Sequence, residues 1–497
     1  MKKLLTILII ISMLLSLAAC RKKNKDDVGN NDQGNNSTPT PDDGNTPSPD
    51  QPSYSFINGT NLSEFSIVYS DEDHDYSKRA AEYIKAEILA RTALDLPITE
   101  DSETPIRDHE IVVGETGRSI SQSLNANTEG LEFAILAEGG KVALEGDYFI
   151  IAAAAYFFIE TYVPKDDYNA TIPEEITIHA PIVKEAKNFI LLIGDGMGVY
   201  QTKLFDTLEN TADYSDGEDL FYGYLLPYQG FSRTRSFSGT TDSAAGGTAI
   251  ACGTKTYNKY IGIDKDGNEL KSLTELAAEL GMGTAVMSTE NKTGATPSTF
   301  SAHAPNRDDT EDILTDQLAL TQTYGTVIEC GYDYYKKSYI NNSIEKRISD
   351  TLSKIEDEDG FFLMYEEAYI DKHADDNDMD KTFLALIRFN QAIARFMEYA
   401  FYHPDTFVLI TADHETGGLA PSGDGFAFST TDHTSADVPI FAYGMGAEVF
   451  DGVTVENIEI GQIIASLMGV DDFGDRSNDW WSLIYGDDFE LPIIPLD

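Results

Sequence analysis

Ile190-Leu191-Leu192-Ile193-Gly194-Asp195-Gly196-Met197-Gly198 is a buried-type apolar run that ends in a carboxylate set among glycines. Two later runs end the same way. Phe361 to Tyr365 leads into Glu366 and Asp371, and Phe407 to Thr411 leads into Asp413-His414. In an open parallel sheet, ligands gather beyond the carboxyl ends of the strands. Acids and histidines converging there are costly to bury unless something positive neutralises them. A cluster of divalent metals is the neutraliser that fits, and it points to an enzyme.

Working outward, residues 184 to about 470 alternate strands with helical stretches. The strands expected are 188–194, 283–288, 361–366, 406–412 and 438–443. That alternation implies an α/β fold with a doubly wound sheet and helices on both faces, over a catalytic domain spanning 184–497. Residues 54–165 read as a small α+β accessory domain. Phe65 to Tyr69 alternates like a strand, and Ser77 to Ala93 carries a helical apolar stripe at Ala80, Ala81, Ile84, Ile88 and Leu89. Ile111-Val112-Val113 is a further strand. Phe133–Leu136 and Val142–Leu144 flank Gly139-Gly140 as a hairpin, and Asp147 to Tyr162 is helical in pattern. In pattern this segment resembles accessory domains that precede the catalytic domain of some bacterial glycoside hydrolases. It carries no catalytic constellation of its own.

The 497 residues are too many for one core of ordinary size. Their formal net charge of -49 repels nucleic acid and anionic headgroups, so an anionic substrate needs local positive charge for its capture. Most of the acids are read as a solubility feature. Met1-Lys2-Lys3 followed by Leu4 to Leu15 has the form of an export signal, the apolar stretch being too short for a confident membrane span. Leu17-Ala18-Ala19-Cys20 resembles a bacterial lipoprotein cleavage site. The expectation is a signal peptide over 1–20, lipid on Cys20, and an exported protein anchored at the outer face of the cell membrane. Residues 21–53 are polar linker that cannot offset its ordering entropy by burial. Cys252 and Cys330 are too few for a disulfide framework.

Thr241-Asp242-Ser243-Ala244-Ala245-Gly246-Gly247-Thr248-Ala249 is the second signal. Ser243 stands where a helix of small residues begins, a place whose N–H groups favour an anion. Serine is also an ordinary N-cap. Beside metal-ligand candidates, the nucleophile reading gains weight.

Taken in order, Gly194 to Gly198, Thr241 to Ala245, Ala295-Thr296-Pro297, Ala302-His303 with Arg307, Glu366 with Ile370-Asp371-Lys372, Thr411 to Glu415, and His433-Thr434 are similar to the alkaline phosphatase family. The resemblance spans roughly 184 to 445 and implies metal-dependent hydrolysis of phosphate monoesters. It makes Ser243 the nucleophile that forms a phosphoserine. Asp195, Asp413 and His414 become ligands of one zinc, and Asp371 and His433 ligands of a second. Thr296 and Glu366, sharing Asp195, become the third site, for magnesium. Arg307 becomes the guanidinium that grips phosphate, its planar fork suiting two oxygens at once. For Lys372 two readings stand level: contact with phosphate through water, or an exposed lysine.

Two positions depart from the family pattern. A histidine is expected four residues after Asp371, where Asp375 stands. Asp375 itself as ligand, His373 after a local shift, or a solvated acidic loop are the three readings left open. An Asp or His is common at position 294, where Gly294 supplies no side chain. Competing functions are a phosphodiesterase or sulfatase of the same superfamily, and a surface binding protein with an impaired site. Ser243-Ala244-Ala245 lacks the sulfatase context, and Arg307 argues against a diesterase. A homodimer is a further open expectation.

Overall fold

The computed structural model describes residues 55–56, 60–71, 75–124, 131–163, 175–179, 186–205, 220–331, 344–357, 359–423 and 425–476. The signal segment, Cys20, the linker and the acidic tail with Trp480-Trp481 lie outside them.

The first sheet is built from Ser66–Tyr69 (β1), Ile98–Glu100 (β2), Glu110–Val113 (β3), Glu132–Glu138 (β4), Lys141–Glu145 (β5) and Glu175–His179 (β6), in the order β2-β1-β3-β5-β4-β6. Strands β1, β2, β3 and β5 run parallel, while β4 pairs antiparallel with both β5 and β6. Gly139 and Gly140 turn the β4–β5 hairpin with positive φ, as their place in the sequence suggests. Helices Tyr76–Thr92 (α1) and Ile151–Tyr162 (α2) pack on each other beside this sheet.

The second sheet has Asn188–Gly194 (β7), Tyr228–Arg233 (β8), Gly283–Ser288 (β9), Val327–Cys330 (β10), Phe361–Glu367 (β11), Thr406–Thr411 (β12), Val438–Tyr443 (β13) and Thr454–Glu456 (β14). Their order is β10-β9-β11-β7-β12-β13-β8-β14. β13 is antiparallel to both of its neighbours, and the other pairings are parallel. Between and after the strands run Ser243–Cys252 (α3), Leu273–Glu279 (α4), Ala295–Thr299 (α5), Tyr369–Asp375 (α6), Met379–Tyr402 (α7) and Asn457–Leu467 (α8).

β7 is apolar on both faces because both faces are covered. Ile190 and Leu192 join a core with Leu386, Phe389, Ile393 and Phe396 of α7. Phe189, Leu191 and Ile193 join another with Ile250 of α3, Leu276 of α4 and Ile464 of α8. Alternate side chains of one strand therefore feed two layers of helices. This is the doubly wound arrangement.

The two sheets share the first of these cores. Buried residues of α1, α2 and β3–β5 are continuous with those of α7. Phe149 lies 5.2 Å from Tyr222 and 5.7 Å from Phe401 between ring centres, and Tyr83 stacks on Tyr402 at 4.4 Å. Arg79 of α1 donates to buried Glu398 of α7 at 2.8 Å. Cys252 and Cys330 are both free thiols.

Candidate active site

Three neighbouring strands deliver carboxylates to one end of the second sheet. Glu366 of β11 and Thr411 of β12 both stand in register with Ile193 of β7. The residues that follow, Asp195 after β7 and Asp413-His414 after β12, leave the sheet together. The turn after β7 needs glycine. Gly196 has φ +73°, and a Cβ there would lie 2.8 Å from both the Asp371 Cα and the Thr416 hydroxyl. Its absence lets α6 bring Asp371 against the strand ends.

The Ser243 hydroxyl is not the cap of its helix. Asp242 is: its Oδ1 accepts the Ala245 N–H at 3.0 Å. Ser243, buried as the first residue of α3, lies 3.2 Å through Oγ from His414 Nε2. The other Asp242 oxygen accepts from the Lys259 N–H at 3.0 Å and from Arg307 Nη1 at 3.4 Å. One carboxylate thus sets both the serine helix and the arginine. Burial alone would lower the Arg307 pKa, but Asp242, Asp195 and Glu290 outweigh it and hold the charge firmly in place.

The two histidines are fixed by the atoms behind them. His433 Nδ1 faces the Thr241 carbonyl at 3.0 Å. A carbonyl only accepts, so Nδ1 carries a proton, and Nε2 faces Asp371 Oδ1, 3.5 Å away. His414 Nδ1 meets the Thr416 hydroxyl at 3.2 Å, and that hydroxyl donates to Asp371. Its one proton is then engaged, so it accepts from Nδ1–H. His414 Nε2 is left with its lone pair toward Asp413 Oδ2 at 3.2 Å and Asp195 Oδ1 at 3.4 Å. Burial, and then His433, hold the His414 pKa down at about 3, so the ring is neutral. The two rings stack at 3.6 Å between centres.

Among the described residues, two compact groups of metal-capable atoms result: Asp195, Asp413 and His414, and Asp371, His414 and His433. In the first, two carboxylates and the neutral His414 are acceptors with no donor between them. Asp195 Oδ1 and Asp413 Oδ2 are buried without a hydrogen-bond partner, as are Thr296 Oγ1 and Glu366 Oε1. Orphaned oxygens of this kind in native interiors call for an explanation, and cations supply one. Burial and the neighbouring acids push the Asp195 carboxyl well above its ordinary pKa, and burial together with Glu290 lifts Glu366 to about 8. These carboxylates resist ionising side by side and are suited to a positive partner.

Other sequence-expected residues stand apart. Asp375 lies half-buried on α6, one turn beyond Asp371, its carboxyl raised to about 6 by burial and by Asp371. It joins neither compact group. His373 is on another side of α6, 5.7 Å from the Tyr369 ring, and joins neither group. Lys372 pairs with Glu290. His303 is engaged elsewhere, its Nε2 2.8 Å from the Leu270 carbonyl. Asp242, Thr416, Ser288 and Glu290 have roles that the sequence did not single out. Asp242 was one residue from the serine, and its capping position was the available signal.

The alkaline phosphatase family model matches residues 186–330 and 341–430. Alkaline phosphatase 3 of Bacillus subtilis (strain 168) is 30% identical over 326 residues, which cover 55% of this chain and 70% of that protein.

This chain belongs to the alkaline phosphatase family.

Alkaline phosphatase 4 of the same strain is 29% identical over 294 residues, 48% of this chain and 64% of its own length. The structure of alkaline phosphatase from the Antarctic bacterium TAB5 aligns with 58% of the chain and 99% of that protein, at 28% identity and a TM-score of 0.50. The alkaline phosphatase fold accounts for the second sheet and the site. Membership makes the chain a phosphatase-type hydrolase, and the two groups described are its candidate divalent-metal ligands.

Proposed function

We propose that the chain hydrolyses phosphate monoesters through a phosphoserine on Ser243. One observation carries this. Two imidazoles, each anchored through Nδ1, turn their Nε2 atoms toward buried carboxylates, and His414 Nε2 does so beside the Ser243 hydroxyl, facing Asp195 and Asp413 oxygens that have no hydrogen-bond partner. Zinc suits both groups, because imidazole nitrogen and carboxylate oxygen are its ordinary protein ligands. Asp195, Asp413 and His414 would hold one ion, and Asp371 and His433 another. Thr296 and Glu366, with Asp195, would hold magnesium, a cation that favours oxygen. When bound, such cations ease loss of the serine proton and stabilise both the attacking and leaving oxygens.

The chain's own residues do the rest. Arg307, held by Asp242, grips phosphate oxygens and supplies the local positive charge that an acidic protein needs to capture an anion. Ser243 Oγ bonds to phosphorus as the ester P–O bond breaks. The serine loses one proton to solvent and the departing alcohol takes one up. Water then cleaves the phosphoserine, giving inorganic phosphate and free Ser243. α3 points its N-terminal N–H groups at that phosphoryl group.

The test compares p-nitrophenyl phosphate, bis-p-nitrophenyl phosphate and p-nitrophenyl sulfate on protein reconstituted with zinc and magnesium. The monoester should turn over fastest by about 10² or more. A faster diester or sulfate overturns the class. Phosphate binding with no turnover of any ester makes the chain a binding protein.

A further inference from the structure

Position 294 has no side chain, yet its side-chain space is full. A Cβ built on Gly294 overlaps the Glu290 carboxylate. The chain turns between the two residues, the Gly294 N–H donating to the Asn291 carbonyl at 2.8 Å. The Glu290 N–H donates to Ser288 Oγ at 3.0 Å, and that hydroxyl donates onward to Glu366. Lys372 Nζ donates to Glu290 Oε2. The other oxygen, Oε1, is the atom in the space of position 294. Nearby, Thr296 Oγ1 and Glu366 Oε1 are fully buried with no hydrogen-bond partner. Glu290 is the neighbouring charge that bears most strongly on Glu366.

We infer that Glu290 is a positioning residue of the third cation site, its carboxylate reaching forward four residues to do what position 294 leaves undone. It tethers Lys372 with one oxygen and adds negative charge beside Thr296 and Glu366 with the other. An outer carboxylate of this kind orients the water and ligands around a cation and strengthens its binding. This assignment rests on the metal-dependent reading of the site given above.

The test uses zinc-loaded full-length protein titrated with magnesium chloride in a calorimeter, with zinc per chain measured by mass spectrometry. Glu290→Ala should weaken magnesium binding about tenfold or more and leave zinc content at the native level, which also reports correct folding. Glu290→Ala combined with Gly294→Asp should recover most of the lost affinity. The carboxylate is then supplied from position 294 instead, and a merely structural Glu290 would not be rescued so. Native-like magnesium affinity in Glu290→Ala overturns the assignment. So does failure of the double variant to recover while its zinc content is native. If the native protein takes up no zinc and hydrolyses no ester, the reading of the whole site falls with it. If the native protein does both and Glu290→Ala changes nothing, only the role of Glu290 falls.

Discussion

At the scale of single residues, the site is decided by which atoms are left without donors. Asp195, Asp413, Glu366 and Thr296 present buried oxygens without hydrogen-bond partners, and His414 and His433 turn Nε2 inward because their Nδ1 atoms are engaged. Thr416 is therefore a lever. Thr416→Val keeps the shape and removes the hydroxyl that orients both His414 and Asp371. It should weaken zinc binding by about 10- to 100-fold, read as zinc retained against a competing chelator, and native retention would contradict the role. Arg307→Ala loses charge-assisted bonds to phosphate worth about 3 kcal/mol, so kcat/KM for a monoester should fall by about 10². Asp195 and Asp413-His414 could be picked out as candidates in the sequence because each follows the end of an apolar strand. Glu290 could not, because nothing local marks a glutamate four residues before a glycine as filling its space. Asp375 falls outside both compact groups. One helical turn from Asp371 puts it on the right side of α6, but helix periodicity alone does not say how far a carboxylate reaches.

At the scale of elements, the strands of uniformly apolar residues were the readable ones. β7, β9, β11, β12 and β13 are buried along nearly their whole length. The three strands of the second sheet that were missed lack that mark. Val327–Cys330 is a half-buried edge strand, Tyr228–Arg233 mixes buried and exposed positions, and Thr454–Glu456 is three residues long. The antiparallel sense of β13 has no signature in its own residues. Among helices, α4 and the helix Thr310–Tyr324 are joined by His303, which lies 3.6 Å from Glu275 and 3.4 Å from Asp316. Burial works against its charge, but Glu275, the Leu270 carbonyl and Asp316 outweigh it and lift the pKa from 6.5 to about 9. A raised pKa binds the proton more tightly in the folded state. Its stabilisation is therefore full below pH 6.5 and is lost as the pH climbs through about 9. Urea denaturation of the native protein and His303→Gln should differ by about 1–3 kcal/mol at pH 6 and by little at pH 10. A difference that stays constant over that range would contradict the assignment.

At the scale of the whole molecule, α7 serves two sheets. One side packs under β7 and the site, and the other meets α1, α2 and Phe149. The sequence showed two segments of different pattern. It could not show that they share a core, because apolar stripes do not name their partners. Phe149→Ala opens a void between Tyr222 and Phe401 and should destabilise the protein by about 3–5 kcal/mol. In thermal unfolding the second sheet should lose stability with the first. An unchanged transition for the catalytic part would mean that the shared core carries little coupling. The central claim is chemical, and one measurement addresses it most directly. Metal-reconstituted protein is mixed with p-nitrophenyl phosphate, quenched in acid during turnover, digested and mapped by mass spectrometry. A single phosphoryl group on Ser243 is the predicted result. Turnover with no phosphopeptide, or with the phosphoryl group on another residue, would contradict it.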